Sequence, residues 1–384
     1  MYAVGLIHDA TDTRAEPLQQ AIVSKIQSMD LTVQSIDWSE DLRALKGPGV
    51  AIYLGSRGSL TDAVCEQKLL RALESGIPVL PIEQEEPTGE RTVHPELQPL
   101  IPFVWSPGTA PPERLLNGVL EALGINERER RLFISYSRKD GGFVAMQLAD
   151  ALAARHFSVF LDHFSMQAPE NIPERISEAL EGKGFMLLIH SPKMHESWWV
   201  DWEITRALQN SIPIMVVKWI PGATDLPKLS DLESRTVPVN PDADIVANEI
   251  ARGKLEEILN AVEICHAEGL LRRRRETLDS AKLMAESRGW KVHLEGGWKL
   301  ILTDGAAHPP TILAVTPRLA RPEDLHALDG WQPPPPPVVG LKWRKVLLQA
   351  SAEMPPHRRQ LLEWAINSRD LFVAQGTSSL PHVV

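Results

Sequence analysis

Two consecutive α/β domains, each an open and mostly parallel sheet with helices on both faces, are the fold class predicted for this 384-residue chain, with a smaller α+β region behind them. Three observations predict it. Short apolar runs alternate with helix-length amphipathic stretches through the first 260 residues or so, the pattern of βαβ units. The order of elements over the first 125 residues recurs in the segment that follows. Arg71–Val79 (RALESGIPV) also aligns without gaps to Arg206–Ile214 (RALQNSIPI), a register that drops Ser56 onto Ser191, both just after an apolar run. Such self-similarity reads as an internal duplication. The bland alternative is that helix-to-strand junctions reuse Gly, Pro and small residues.

In the first copy, Ala3–Ile7 reads as a strand, 18–29 as a helix, 31–36 and 50–54 as strands, and 61–74 as a helix. Strands at 77–82 and 103–105 and a closing helix over 112–123 complete it. In the second copy strands fall at 131–135, 158–161, 184–189, 212–217 and 236–239, with helices over 142–155, 173–181, 199–209 and 247–262. Beyond them the pattern changes. A helix over 276–287 leads into alternating runs flanking Glu295-Gly-Gly297, a hairpin signal. A third strand at 311–315, an extended run of five prolines at 333–337, and helices over 343–350 and 356–372 follow. The expected domains are therefore 1–126, 127–268 and 269–384.

Composition narrows the function classes. The longest apolar runs are strand length, far short of the roughly 20 residues that span a bilayer, and the first residues lack a basic start, a long apolar centre and a cleavage site. Cys65 and Cys265 are far apart and fit no metal spacing, so two buried free thiols in a reducing, cytoplasmic setting are expected. The net charge of −10 argues against non-specific nucleic-acid binding by the whole chain. It is uneven, since residues 269–384 hold 16 Lys and Arg against 11 Asp and Glu. The Arg272–Arg275 run there reads first as a solvated helix end or linker, and second as a nucleic-acid contact.

Ligands of open α/β sheets bind outside the carboxyl ends of the strands. In the second copy Ser135, Tyr136, Ser137 and Arg138 follow the first strand, the stretch from Asp162 follows the second, and Ser191 to Ser197 follow the third. Arg138 could meet a phosphate, and the hydroxyls of Ser135 and Ser191 could meet phosphate or ribose. Glu203 lies four residues after Trp199 and so projects from nearly the same helix face. An indole beside a carboxylate can pack against a flat base while the acid binds ribose hydroxyls, or stabilises an oxocarbenium ion. Equally, Trp199 and Trp202 can be core anchors with Glu203 at the rim. Spacing alone does not separate the two.

Phe133-Ile-Ser-Tyr-Ser137, Val159-Phe-Leu-Asp162, and Ser191 followed by Ser197-Trp-Trp-Val-Asp-Trp-Glu203 together resemble the TIR (Toll/interleukin-1 receptor) domain family over about residues 130–260. The resemblance implies a flavodoxin-like sheet of five parallel strands. Many members cleave NAD at the nicotinamide–ribose bond with a glutamate four residues beyond a tryptophan, here Glu203 after Trp199. It further implies that Arg138 and the loop from Asp162 border the dinucleotide, and that the same loop packs between subunits of a homo-oligomer. NAD would be a substrate, with no cofactor or metal. Cyclic ADP-ribose isomers are conceivable products, and draining NAD in antiphage defence a conceivable role, with the flanking domains sensing or assembling. Val200 departs from the family, which often carries cysteine there. In the first copy Lys68 and Val64 replace the acid and the aromatic, implying a degenerate repeat without hydrolase activity.

Other motifs fail. Gly47-Pro-Gly49 precedes a strand and lacks a third glycine, and His195-Glu196 has no second histidine at metal spacing. A phospho-receiver needs aspartates where Ser135 and His190 stand. The remaining alternative to an NAD glycohydrolase is a non-catalytic TIR scaffold that recruits partners.

Overall fold

The computed structural model describes residues 2–29, 31–42, 45, 47–84, 92–97, 102–125, 129–161, 180, 182–224, 226–295, 299–304, 309–330, 342–350, 354, 356–365 and 371–375. Contacts divide the chain into two compact units, 1–126 with 293–301, and 127–292 with 302–384.

The first unit is built on strands β1 (Tyr2–Ile7), β2 (Val33–Ser35), β3 (Gly49–Leu54), β4 (Val79–Glu83) and β5 (Phe103–Val104). They pair in parallel in the order β2-β1-β3-β4-β5. Helices α1 (Ala15–Gln27), α2 (Arg57–Thr61), α3 (Ala63–Glu74) and α4 (Glu113–Ala122) connect them. Two apolar clusters form the core. One takes α1 and α4 (Leu18, Ile22, Leu115, Val119) and the other takes α3 (Cys65, Leu69, Ala72). Central strand β3 is apolar on both faces, as a strand buried between helical layers must be.

The second unit repeats this plan with β6 (Arg131–Tyr136), β7 (Ser158–Leu161), β8 (Met186–His190), β9 (Ile214–Trp219) and β10 (Thr236–Val239). Their order, β7-β6-β8-β9-β10 and all parallel, is that of the first sheet. This is the flavodoxin-like arrangement, with its switch point between β6 and β8. Helix α5 (Gly142–Ala154) covers one face and α6 (Trp198–Gln209) the other. The helix expected over 173–181 falls almost wholly outside the described residues.

From here the structure departs from the expected elements. The closing helix of the second repeat does not start at 247; Ala247 and Asn248 take positive φ in a turn between the short strands Ile245–Val246 and Glu249–Ile250. Helix α7 then runs unbroken from Arg252 to Ser287, through the boundary expected at residues 268 and 269. It reads as two pieces in sequence because its middle is rich in charge. Part of that charge is internal: Glu263, Arg273 and Arg274 are buried, as is the His266 imidazole. Half of the Arg272–Arg275 run is therefore interior, and neither a solvated linker nor a nucleic-acid face. Arg274 reaches Glu129 at 3.3 Å, and Arg318, beyond the next strands, reaches the same carboxylate at 3.2 Å. Burial pushes the Glu129 carboxyl up, but Arg318 and Arg274 outweigh it and hold it below the ordinary range.

The last strands are β11 (Lys291–Glu295), β12 (Lys299–Thr303), β13 (Thr311–Thr316), β14 (Arg344–Gln349) and β15 (Leu371–Gln375), in sequential order across one sheet. Strands β13, β14 and β15 are parallel, joined through α8 (Pro322–Asp329) and α9 (Pro356–Ala365). The helix expected over 343–350 is thus strand β14. A short apolar run such as Val346–Leu348 has no period that separates a buried strand from a buried helix, and parallel partners on both sides decide it. For the same reason the helix expected over 356–372 stops at Ala365, and Phe372 lies in β15. The proline run lies outside the described residues. Among the described residues no helix is long and apolar enough to cross a membrane.

Candidate active site of the second repeat

Helix α6 meets the sheet through Val200, Ile204 and Ala207, a stripe at i, i+4 and i+7 that packs on Phe133, Met186 and Leu188. Glu203 falls within that stripe. It is only 2 % exposed, a carboxylate set among apolar neighbours, and such a group is costly to bury without hydrogen-bond donors. One donor is Ser135, itself buried near the carboxyl end of β6, whose hydroxyl donates to Oε2 of Glu203. The two residues come together across 68 positions of sequence. The acid thus faces the strand end at the switch point, away from bulk solvent.

The remaining expected residues are placed differently. Ser191 is buried, but its hydroxyl donates to Oδ1 of Asp140 at 2.6 Å, and the backbone N–H of Lys193 donates to Oδ2 at 2.8 Å. Ser191 is therefore engaged in tying the loop after β8 to the loop after β6. Arg138 is exposed on that second loop. Trp199 is the second residue of α6, but its side chain, like Asp162 and the loop after it, lies outside the described residues. Trp202 packs against the apolar cluster under the sheet, as a core anchor.

Asp140 is the residue that sequence reasoning missed. The sequence register does not point to it, since it drops Asp9 onto Val144; the parallel is one of the fold, in which Ser56, the counterpart of Ser191, donates to Asp9 at 2.5 Å. Gly141, the N-cap of α5, completes the loop. A Cβ there would come within 3.0 Å of the Ser137 carbonyl oxygen, so the chain passes close by the end of β6.

The description TIR domain belongs to the family that matches residues 132–244. The second repeat is a TIR domain. No curated protein matches the chain. Among solved structures, a probable maltose operon transcriptional repressor from Staphylococcus aureus is similar at 12 % identity, over 67 % of this chain and 88 % of that one, with a TM-score of 0.19. A multi-domain protein from Deinococcus radiodurans, described as structurally similar to chelatases, reaches 15 % identity, over 95 % and 78 %, with a TM-score of 0.16. Likenesses this low bear on neither fold nor function. In the TIR domain, then, the chemistry available is that of one buried acid with its hydroxyl partner, at the strand ends where such sheets take ligands.

Proposed function

We propose that the TIR domain is an NAD glycohydrolase, with Glu203 as its catalytic carboxylate. The observation that supports this reading is the burial of Glu203 with its oxygen held by Ser135 at the carboxyl end of β6. A carboxylate fixed in a water-poor site stabilises developing positive charge far better than one in solvent. In the reaction, the bond between ribose C1′ and the nicotinamide nitrogen breaks, and its electron pair leaves with neutral nicotinamide. Glu203 faces the resulting oxocarbenium ion, and water adds at C1′ to give ADP-ribose and a proton. If a nitrogen of the adenine adds instead, the product is a cyclic isomer. Ser135 orients the carboxylate, while Arg138 and the Asp162 loop border the dinucleotide. Self-association through TIR domains activates the enzyme, and the biological role is defence by depletion of NAD.

The full chain should release nicotinamide from NAD, measured by chromatography over a range of protein concentrations. Glu203→Ala should abolish release while the far-UV circular dichroism stays unchanged. Equal turnover in that variant removes Glu203 from the mechanism. Silence of the wild type at every concentration favours the scaffold.

A further inference from the structure

In the first repeat Arg14, 1 % exposed, bridges the chain just after β3 and β5, with its guanidinium donating to the carbonyls of Gly55 at 2.8 Å and Trp105 at 3.0 Å and pairing with Asp12 at 2.7 Å. The same repeat has a cavity elsewhere, at the edge of its sheet between α1, β1 and β2, with a volume of about 210 Å³. It opens to solvent on the side where Gln19, Gln34 and Ser35 are exposed.

Its walls are built. A Cβ at Gly5 would lie 2.5 Å from Cζ2 of Trp38, so the indole rests on bare backbone of β1. Arg71 of α3 donates to the carbonyls of Trp38 and Glu40, which fixes the turn that carries the ring. His8 Nδ1 lies 2.8 Å from the carbonyl oxygen of Asp9. A carbonyl only accepts, so Nδ1 carries a proton, and in the neutral imidazole Nε2 is then the acceptor. Gln19 donates to Ser35 at 3.0 Å across the gap between α1 and β2, and the amide of Gln34 also lines the space.

Among the described residues no Lys, Arg, Asp or Glu lines the cavity. An ion entering it would lose water without meeting a counter-charge, so phosphates and metal ions are poor candidates. Beside aliphatic walls from Val4, Leu6, Ile22, Val23, Val33 and Ile36, the lining offers an aromatic face, an imidazole and amide groups that both donate and accept. A flat, neutral, heteroaromatic ring with donors and acceptors on its edge matches that set, since bases stack on indole and amides read their edges. We propose that the first repeat binds a nucleobase, free or as its nucleoside, stacked on Trp38 with its edge against Gln34 and His8.

Saturation-transfer NMR on the full chain tests this with adenine, adenosine, guanosine, cytidine and uridine, and with the corresponding 5′-monophosphates. At least one base or nucleoside should receive saturation, and its monophosphate should bind at least tenfold more weakly. Trp38→Ala should weaken binding at least tenfold. Gln34→Phe, a change at an exposed edge-strand position that fills the cavity, should do the same with the melting curve preserved, so that a folding defect in the first variant does not decide the matter. Glu203→Ala should leave the affinity unchanged, which separates this cavity from a base held at the second repeat. The proposal is overturned if no compound gives a signal at millimolar concentration. It is also overturned if Gln34→Phe binds like the wild type, if a monophosphate binds more tightly than its nucleoside, or if Glu203→Ala abolishes binding.

Discussion

The two repeats keep one register of sequence to the ends of their helices, with α3 at Ala63–Glu74 and α6 at Trp198–Gln209, while their strand-end chemistry has diverged. Both use the same strand order, and both tie the loop after the third strand to the loop after the first through a serine and an aspartate, Ser56 to Asp9 and Ser191 to Asp140. They part at three places. Where Ser135 pairs with Leu188 in the second sheet, the equivalent rung of the first pairs Ile7 with Tyr53. Lys68 stands in place of Glu203. The N-cap of the first 13-residue helix is the buried Arg14 in one repeat and Gly141 in the other. The fold therefore rests on the apolar pattern and the serine–aspartate tie, and the acid and its hydroxyl partner can be lost together without losing the sheet.

The largest expected effect sets the two helices against each other. Glu203→Gln keeps the shape and removes the charge, and should lower kcat for nicotinamide release by about 10²–10³, the loss typical of a preorganised electrostatic group. Lys68→Ala, at the matching position of α3, should leave kcat within twofold. Steady-state assays on both variants decide it, and a comparable loss in Lys68→Ala breaks the assignment of chemistry to one repeat.

Next in size is the buried Arg14. Arg14→Met takes the guanidinium away from the buried Asp12 carboxylate and from two carbonyls, and should cost about 3–5 kcal/mol in urea unfolding, as loss of one partner of a buried pair does. Gly141→Ala in the second repeat meets a carbonyl oxygen at 3.0 Å and should cost about 1–3 kcal/mol. A cost below about 1 kcal/mol for Arg14→Met would show that this side chain does not hold the ends of β3 and β5 together.

How much of this is legible in the sequence differs from residue to residue. The duplicated sheets follow from alternating runs and one gapless match, because a parallel strand buried on both faces announces itself as an apolar run between helical patterns. Glu203 is visible as a spacing from Trp199, but its partner is not, since Ser135 reaches it across the sheet and no local pattern records that. Arg274 is misread, and Arg14 goes unremarked, for a single physical reason. Charged residues are taken as surface unless paired, and their partners Asp12 and Glu129 become partners only once the chain is folded. Strand β14 is lost because a few apolar residues carry no period of their own.

Acid should separate the repeats further. His266 of α7 is buried in the second unit between the rings of Phe157 and Phe185, at 5.1 and 5.4 Å, with Nε2 against the Glu129 carbonyl. Burial first, then the nearby Arg130 guanidinium, pushes it from 6.5 down to about 3. Between those values the unfolded chain holds one proton more than the folded one, so stability falls as pH falls. The expected slope is about 1.4 kcal/mol per pH unit below 6.5. Among its described buried residues the first repeat has no histidine. Melting of the second unit between pH 6.5 and 4.5 should therefore drop more steeply, and His266→Phe should flatten that slope; an unchanged slope in the variant would assign the acid sensitivity elsewhere.

The smallest effect probes what the repeats still share. Burial raises the Asp9 carboxyl, but hydrogen bonds from Ser56 and from the hydroxyl and backbone N–H of Thr11 outweigh it and hold the group below 3.8. Because the folded value is the lower one, the stabilisation is complete above the unfolded pKa and is lost as pH falls through the folded value. Ser56 also caps α2, accepting from the N–H of Ser59 at 3.0 Å. Ser56→Ala should thus cost about 1–2 kcal/mol at pH 7, and the difference from wild type should shrink below pH 3.8. Ser191→Ala leaves Asp140 with the Lys193 N–H, one donor instead of two, and should cost about 1 kcal/mol. Chemical unfolding of the two variants at pH 7 compares the ties directly. Costs of similar size mean that both repeats are held by one inherited device, whereas a negligible cost at Ser191 would mean that the second repeat has shifted this work to the charged network around Glu129.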